Sequence, residues 1–174
     1  MKRILIAGIG NVFRGDDAFG VEVVRELSRH RLPEEVCVKD FGIRSEDLAC
    51  ALNEGYDLVV FVDAAPHGVA AGTVFLIEPD LDQIASLPAE TMNPHDLDPV
   101  RVLQMAKTFG GKMGRLYLVG CEPAELATHE DGRLGLTAPV QAAIPDAVEM
   151  LRSLVAEFLE ENKNKEPSYR AFVS

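Results

Sequence analysis

Two adjacent carboxylates, Asp16 and Asp17, stand where a glycine-containing loop meets the start of an amphipathic helix. One acid there is explained by helix capping and by the positive end of the helix dipole, but the second lacks such an explanation. Asp63 follows the apolar run Leu58-Val59-Val60-Phe61-Val62 directly. A carboxylate at the mouth of so buried a strand is costly unless a cation, a hydrogen-bond donor or a cavity receives it. His95 lies in Asn93-Pro94-His95-Asp96-Leu97, within a long loop that runs from about residue 80 to 97. Loops of that length in compact domains are usually functional or disordered. Together Asp17, Asp63 and His95 would form an open O,O,N site with room for substrate or water, suited to a divalent transition metal. Three scattered ligands are easily found in any sequence, so spacing alone does not select this set.

Other chemistries fit less well. The Gly8-Ile9-Gly10 turn invites a dinucleotide, and Asp40 could imitate a ribose-binding acid. However, Phe13 stands where the fingerprint needs a third glycine, and two acids at the helix start would repel a pyrophosphate. Protease signatures with a conventional nucleophile or zinc helix are absent, since the chain has no G-x-S-x-G and no H-E-x-x-H. The position of Cys121 at a strand end allows a nucleophile with a histidine base, but a small buried hydrophobe is the better reading. His30 closes the first helix, and His67 and His129 sit in polar loops, where solvated side chains are the rule.

The elements that must position these groups alternate. Strands are expected at Lys2 to Ala7, Val36 to Asp40, Leu58 to Val62, Thr73 to Ile77 and Arg115 to Gly120. Helices are expected from Asp16 to His30 and from a Ser45 cap through Leu52. Another runs from Asp98-Pro99 to Gly110-Gly111, and a long amphipathic helix starts at Pro145 after a short helical turn. The pattern predicts an α/β three-layer sandwich: a mostly parallel five-stranded sheet with one antiparallel strand, and helices on both faces. The connection between Asp63 and Thr73 has only nine residues, too short for a crossover helix, so the strand before Pro79 should be the antiparallel one. Ligands in such sheets bind outside the carboxyl ends of the strands. Those ends are Ala7 to Asn11, Asp40-Phe41-Gly42, Asp63-Ala64-Ala65 and Gly120-Cys121-Glu122. The domain should span residues 1–159, with 160–174 a helix end and a disordered tail.

The 174 residues carry 17 basic and 28 acidic side chains, a net charge of −11. That balance argues against nucleic acid or an anionic membrane as partner. The apolar stretches are too short to insert in a bilayer, and three widely spaced cysteines fit a reducing cytoplasm. The acidity is local. Residues 78–98 hold Glu78, Asp80, Asp82, Glu90, Asp96 and Asp98 with no lysine or arginine, so the loop around His95 should favour a cation and steer a basic segment.

The loop Gly8-Ile9-Gly10-Asn11-Val12-Phe13-Arg14-Gly15-Asp16-Asp17-Ala18-Phe19-Gly20 closely resembles the N-terminal signature of the nickel–iron hydrogenase maturation proteases. The resemblance continues through Asp63, Ala71-Gly72-Thr73, Pro94-His95, Gly120-Cys121-Glu122-Pro123, Gly135-Leu136-Thr137 and the closing helix, covering roughly residues 2 to 159. It implies an endopeptidase that removes the C-terminal extension of a hydrogenase large-subunit precursor once nickel is in place. It also implies that Asp17, Asp63 and His95 form the metal-recognition and catalytic site. The nickel would be presented by the substrate, with other divalent ions able to substitute, and the enzyme would act as a cytoplasmic monomer. Asp40-Phe41-Gly42-Ile43-Arg44 departs from the pair of glycines and threonine common in that family. Two further readings compete: a non-catalytic metal- or precursor-binding chaperone of hydrogenase assembly, and a nucleotide-binding protein.

Overall fold

The computed structural model describes residues 2–80, 99–108, 114–126 and 132–163. Five strands form one sheet: β1 (Ile4–Ile9), β2 (Val36–Gly42), β3 (Leu58–Ala64), β4 (Val74–Ile77) and β5 (Arg115–Cys121). Their order is β2-β1-β3-β5-β4. The first three strands and β5 pair in parallel, while β4 pairs antiparallel with β5. The short connection after Asp63 therefore has the predicted consequence. β1 and β3 form the centre, and their runs of β-branched and aliphatic residues are buried on both faces.

Helices cover the two faces, giving three layers. On one side α1 (Phe19–Leu27) and α4 (Ala138–Lys163) enclose Ile4, Ile6, Leu58, Val60, Val62 and Val119. On the other, α2 (Ser45–Leu52) and α3 (Pro99–Thr108) enclose Leu5, Ala7, Ile9, Val59, Phe61 and Leu116. The alternation of side chains along each strand assigns neighbouring residues to opposite cores.

Several boundaries differ from the sequence reading. Asp16–Ala18 is a 3₁₀ turn, and the α-helix begins only at Phe19. The cap of α2 is Arg44 rather than Ser45, which is already helical and provides no side-chain cap. Helix α3 does open on Pro99, while Asp98 and Gly110-Gly111 lie outside the described residues. The helix expected from Pro145 instead starts at Ala138 and passes straight through that proline. Pro145 cannot donate to the carbonyl four residues back, which ordinarily breaks a helix. Here Val140, Ala143 and Ile144 before it and Ala147, Val148 and Leu151 after it are all buried on the same core. Packing of that continuous stripe outweighs the local defect. The helix reaches Lys163, and the remainder of the expected tail lies outside the described residues, as does the long loop around His95.

Candidate active site

The strand order places β2 on one side of β1 and β3 on the other, so successive connections leave the sheet in opposite directions between β1 and β3. A crevice opens at such a point beyond the carboxyl ends. Gly8 is level with Val62 across that junction, which puts Ile9 beside Asp63. The first turn of α1 settles directly on this backbone. A Cβ on Gly20 would lie 1.9 Å from the Val62 carbonyl oxygen and 2.3 Å from that of Ile9, so only glycine permits the approach. Gly8 plays the reciprocal part, since a Cβ there would meet the Val24 side chain at 2.4 Å.

This close packing positions Asp17. The 3₁₀ turn that carries it rests against β3. The Asp17 carbonyl occupies the space a side chain at Gly10 would need, and Gly10 has a positive φ of 134°. The Asn11 amide donates to Asp17 Oδ2 at 3.0 Å, fixing the carboxylate's direction. Asp63 follows Val62 on β3, level with Gly120 of β5, and is half-buried. Two half-buried carboxylates thus sit on adjoining segments at the switch point. His95, the third residue expected there, lies outside the described residues. Among the described residues no three His, Cys, Asp or Glu side chains gather as a metal site, so these contribute the carboxylate pair alone.

Two further carboxylates brace the loops, and sequence reasoning missed both roles. Neither Asp16 nor Asp17 caps the helix, which starts at Phe19 with no side-chain cap. Asp16 is fully buried, and accepts hydrogen bonds from Thr137 N at 2.7 Å on Oδ1 and from Ala124 N, Glu125 N and Thr137 Oγ1 at 2.9, 3.1 and 2.9 Å on Oδ2. Adjacent acids therefore differ in setting: Asp16 points inward and ties the segments after β5 to the first loop, while Asp17 is half-buried at the crevice and receives the Asn11 backbone N–H. Glu122 is nearly buried, and its Oε2 accepts from His67 N at 2.6 Å and Val69 N at 3.4 Å, bracing the loop that leaves Asp63. The reasoning that singled out Asp63, an acid directly after an apolar strand, applied equally to Glu122. Asp16 had no such local signal. The His67 ring is exposed and stacks on Phe75 with centroids 5.0 Å apart.

The two discarded chemistries now have structural reasons. Gly8 and Gly10 accommodate the chain's own helix and turn, so they leave no bare backbone cradle for a pyrophosphate. Cys121 is completely buried, and burial pushes its thiol up to about 11, helped by the carboxylates of Asp16 and Glu122. A thiol held in that state is no nucleophile at neutral pH. It also sets a pH dependence. Because the folded chain keeps this proton more tightly than the ordinary thiol with its value of 9.0, stability should fall as pH rises from about 9 towards 11. Urea unfolding of Cys121→Ala should show a shallower decline over that window than the parent. Equal slopes would show that Cys121 does not titrate there.

Comparison with known proteins agrees with this geometry. Residues 21–154 match the family model of the hydrogenase maturation proteases. The hydrogenase expression/formation protein HupD of Rhizobium leguminosarum bv. viciae is 36% identical over 148 residues, covering 84% of this chain and 71% of that protein. Among solved structures, the hydrogenase maturating endopeptidase HybD from E. coli superposes with a TM-score of 0.74 at 29% identity, covering 89% of this chain and 93% of that one. The nickel–iron hydrogenase maturation protease HycI from Thermococcus kodakarensis KOD1 gives 0.61 at 28% identity, with coverages of 91% and 93%. A polypeptide with this sheet order, these two carboxylates at its switch point and these relatives belongs to the hydrogenase maturation protease family and is a peptidase.

Proposed function

We propose that the chain removes the C-terminal extension of a nickel-loaded hydrogenase large-subunit precursor, and that the metal in the substrate licenses cleavage. The observation that carries this reading is the placement of Asp17 and Asp63 on adjoining segments at the switch point of a maturation protease. Two carboxylates with the imidazole of His95 supply hard and borderline donors of the kind a divalent transition metal accepts. They would complete the coordination of an ion that substrate thiolates already hold, so a precursor without metal would lack the anchor that aligns its scissile bond. A metal held by Asp17, Asp63 and His95 together with the substrate would supply Lewis acidity at either the scissile carbonyl or the attacking water. Other divalent ions in the same substrate site would substitute in part.

The acids clustered between residues 78 and 98 would draw a cation or a basic segment towards the crevice. The enzyme would act in the cytoplasm as a monomer. Among the described residues no helix is long and apolar enough to cross a membrane.

The test is intact-mass analysis of purified precursor, with and without nickel, after incubation with the full chain. The loaded precursor should lose the mass of its C-terminal peptide, and the unloaded precursor should not. Equal trimming of both would remove metal gating from the reading. A stable complex with no change in mass would replace catalysis by a holding role.

A further inference from the structure

Six large apolar side chains are exposed among the described residues, and their distribution is uneven. Phe13 (64% exposed), Ile43 (51%), Val69 (45%), Leu126 (44%) and Leu134 (76%) all lie on loops that follow the carboxyl ends of β1, β2, β3 and β5. Only Leu76 lies elsewhere, on the edge strand β4. We propose that these five side chains form a docking surface for the folded body of the peptidase's protein substrate, beside the carboxylates that act on its C-terminal segment.

The loops are joined as one platform. Arg133 N donates to the Phe13 carbonyl at 3.0 Å, and Gly15 N donates to the Arg133 carbonyl at 2.7 Å. Isolated bridges pair Arg14 with Arg133 and Gly15 with Leu126, so the segments bearing Phe13, Leu126 and Leu134 meet at the first loop. Gly10 N donates to the Gly42 carbonyl at 3.0 Å and tethers the segment bearing Ile43 to the same first loop. The Glu122 carboxylate holds the Val69 amide. Such bracing lowers the ordering cost of association, which is what a docking surface requires.

Exposed apolar clusters of this kind mark interaction sites more often than ordinary surface, and three observations name the occupant. The chain is a peptidase, so its substrate is a polypeptide. The patch shares a loop with the carboxylate pair, because Phe13 lies between β1 and Asp17, and Asn11 of the same loop donates its backbone N–H to the Asp17 carboxylate. A second copy of the chain seated here would cover Asp17 and Asp63 and shut the substrate out. The inference rests on the reading of the chain as a precursor endopeptidase.

The experiment compares Phe13→Ser/Leu134→Ser, Ile43→Ser and the control Leu76→Ser in processing and in direct binding of the nickel-loaded large-subunit precursor, with urea unfolding of each. The double variant and Ile43→Ser should raise KM about tenfold with kcat and unfolding midpoint unchanged, and should weaken precursor binding by a similar factor. Leu76→Ser should match the parent. Unchanged KM and binding in both patch variants, with processing intact, would overturn the docking surface and leave the proposed activity standing. A dimer of the parent that the double variant dissolves would assign the patch to a second copy and also overturn it. Failure of the parent both to bind and to process the precursor would overturn the inference together with the reading beneath it.

Discussion

Asp17→Asn, Asp63→Asn and His95→Ala are each expected to leave a nickel-loaded precursor essentially unprocessed, with initial rates reduced about 100-fold or more, the scale on which losing one preorganised electrostatic contact acts. Asparagine retains the shape of aspartate and one acceptor oxygen but not the charge. At Asp17 the amide of Asn11 donates to Oδ2, so an asparagine oxygen can keep that bond and the loop should hold its conformation. At Asp63 the strand pairing with Gly120 holds the backbone in place, and asparagine keeps the side chain's shape. Both substitutions therefore test the carboxylate's negative charge with little effect on folding. Unfolding midpoints should stay near the parent's while processing is lost. Processing at the parent rate by all three variants would remove these residues from the mechanism.

The same comparison separates binding from chemistry. If the three side chains complete the coordination of a substrate-held metal, their loss should weaken capture of the loaded precursor and leave capture of the unloaded one unchanged. A carboxylate acting only as a general base would instead lower kcat at unchanged KM. Neither pattern would alter the response to substitutions at Phe13 or Leu134. The apolar surface and the carboxylate pair thus have distinct kinetic signatures.

The strand-end rule points to Asp63, whereas Asp17 stands out only as the second of two acids where capping explains one, and the family resemblance joins it to Asp63. Asp63 follows the most apolar run in the chain, and the alternating pattern identifies the direction of that run. The antiparallel β4 followed from a nine-residue connection that no crossover helix could fill. What escaped notice depended on tertiary contacts. The approach of α1 to β1 and β3 rests on Gly20, which in sequence looks like a mildly unfavourable residue in an amphipathic helix. Only the 1.9 Å separation between its would-be Cβ and the Val62 oxygen shows why glycine is required. Pro145 was read as a helix start because local backbone preference disfavours an interior proline, and the buried stripe on both sides overrides that preference. Exposure of Phe13 and Leu134 was equally hidden, since apolar residues in a sequence are ordinarily assigned to the core.

Asp16 shows most clearly how far a tertiary partner can lie from any local signal, and its replacement carries the largest expected loss of stability. Its partners, Ala124, Glu125 and Thr137, are more than 100 residues away along the chain. Among the described residues four donors face this carboxylate: three backbone amides and the Thr137 hydroxyl. Asp16→Ala removes every acceptor at once and leaves four part-buried donors without their partner. The loss should be about 3–5 kcal/mol, because several hydrogen bonds to a charged group, at about 1.5–3 kcal/mol each, are lost together. Out of a total of roughly 5–15 kcal/mol this brings the chain close to unfolding at physiological temperature.

Asp16→Asn should be nearly as damaging despite its shape, because its amide NH₂ must face either the Thr137 amide or the three donors on the other oxygen. Donor then opposes donor in either orientation. Both variants should release the segments flanking Thr137 first, seen as rapid proteolysis around residues 122–137 in conditions where the parent is resistant. They should also lose precursor docking, because Asp16 ties the segments that flank Leu126 and Leu134 to the loop that carries Phe13. Asp17→Asn, one residue away, should do neither. An Asp16→Asn variant within 1 kcal/mol of the parent, and as resistant to protease, would show that the loops are held together by something other than this carboxylate.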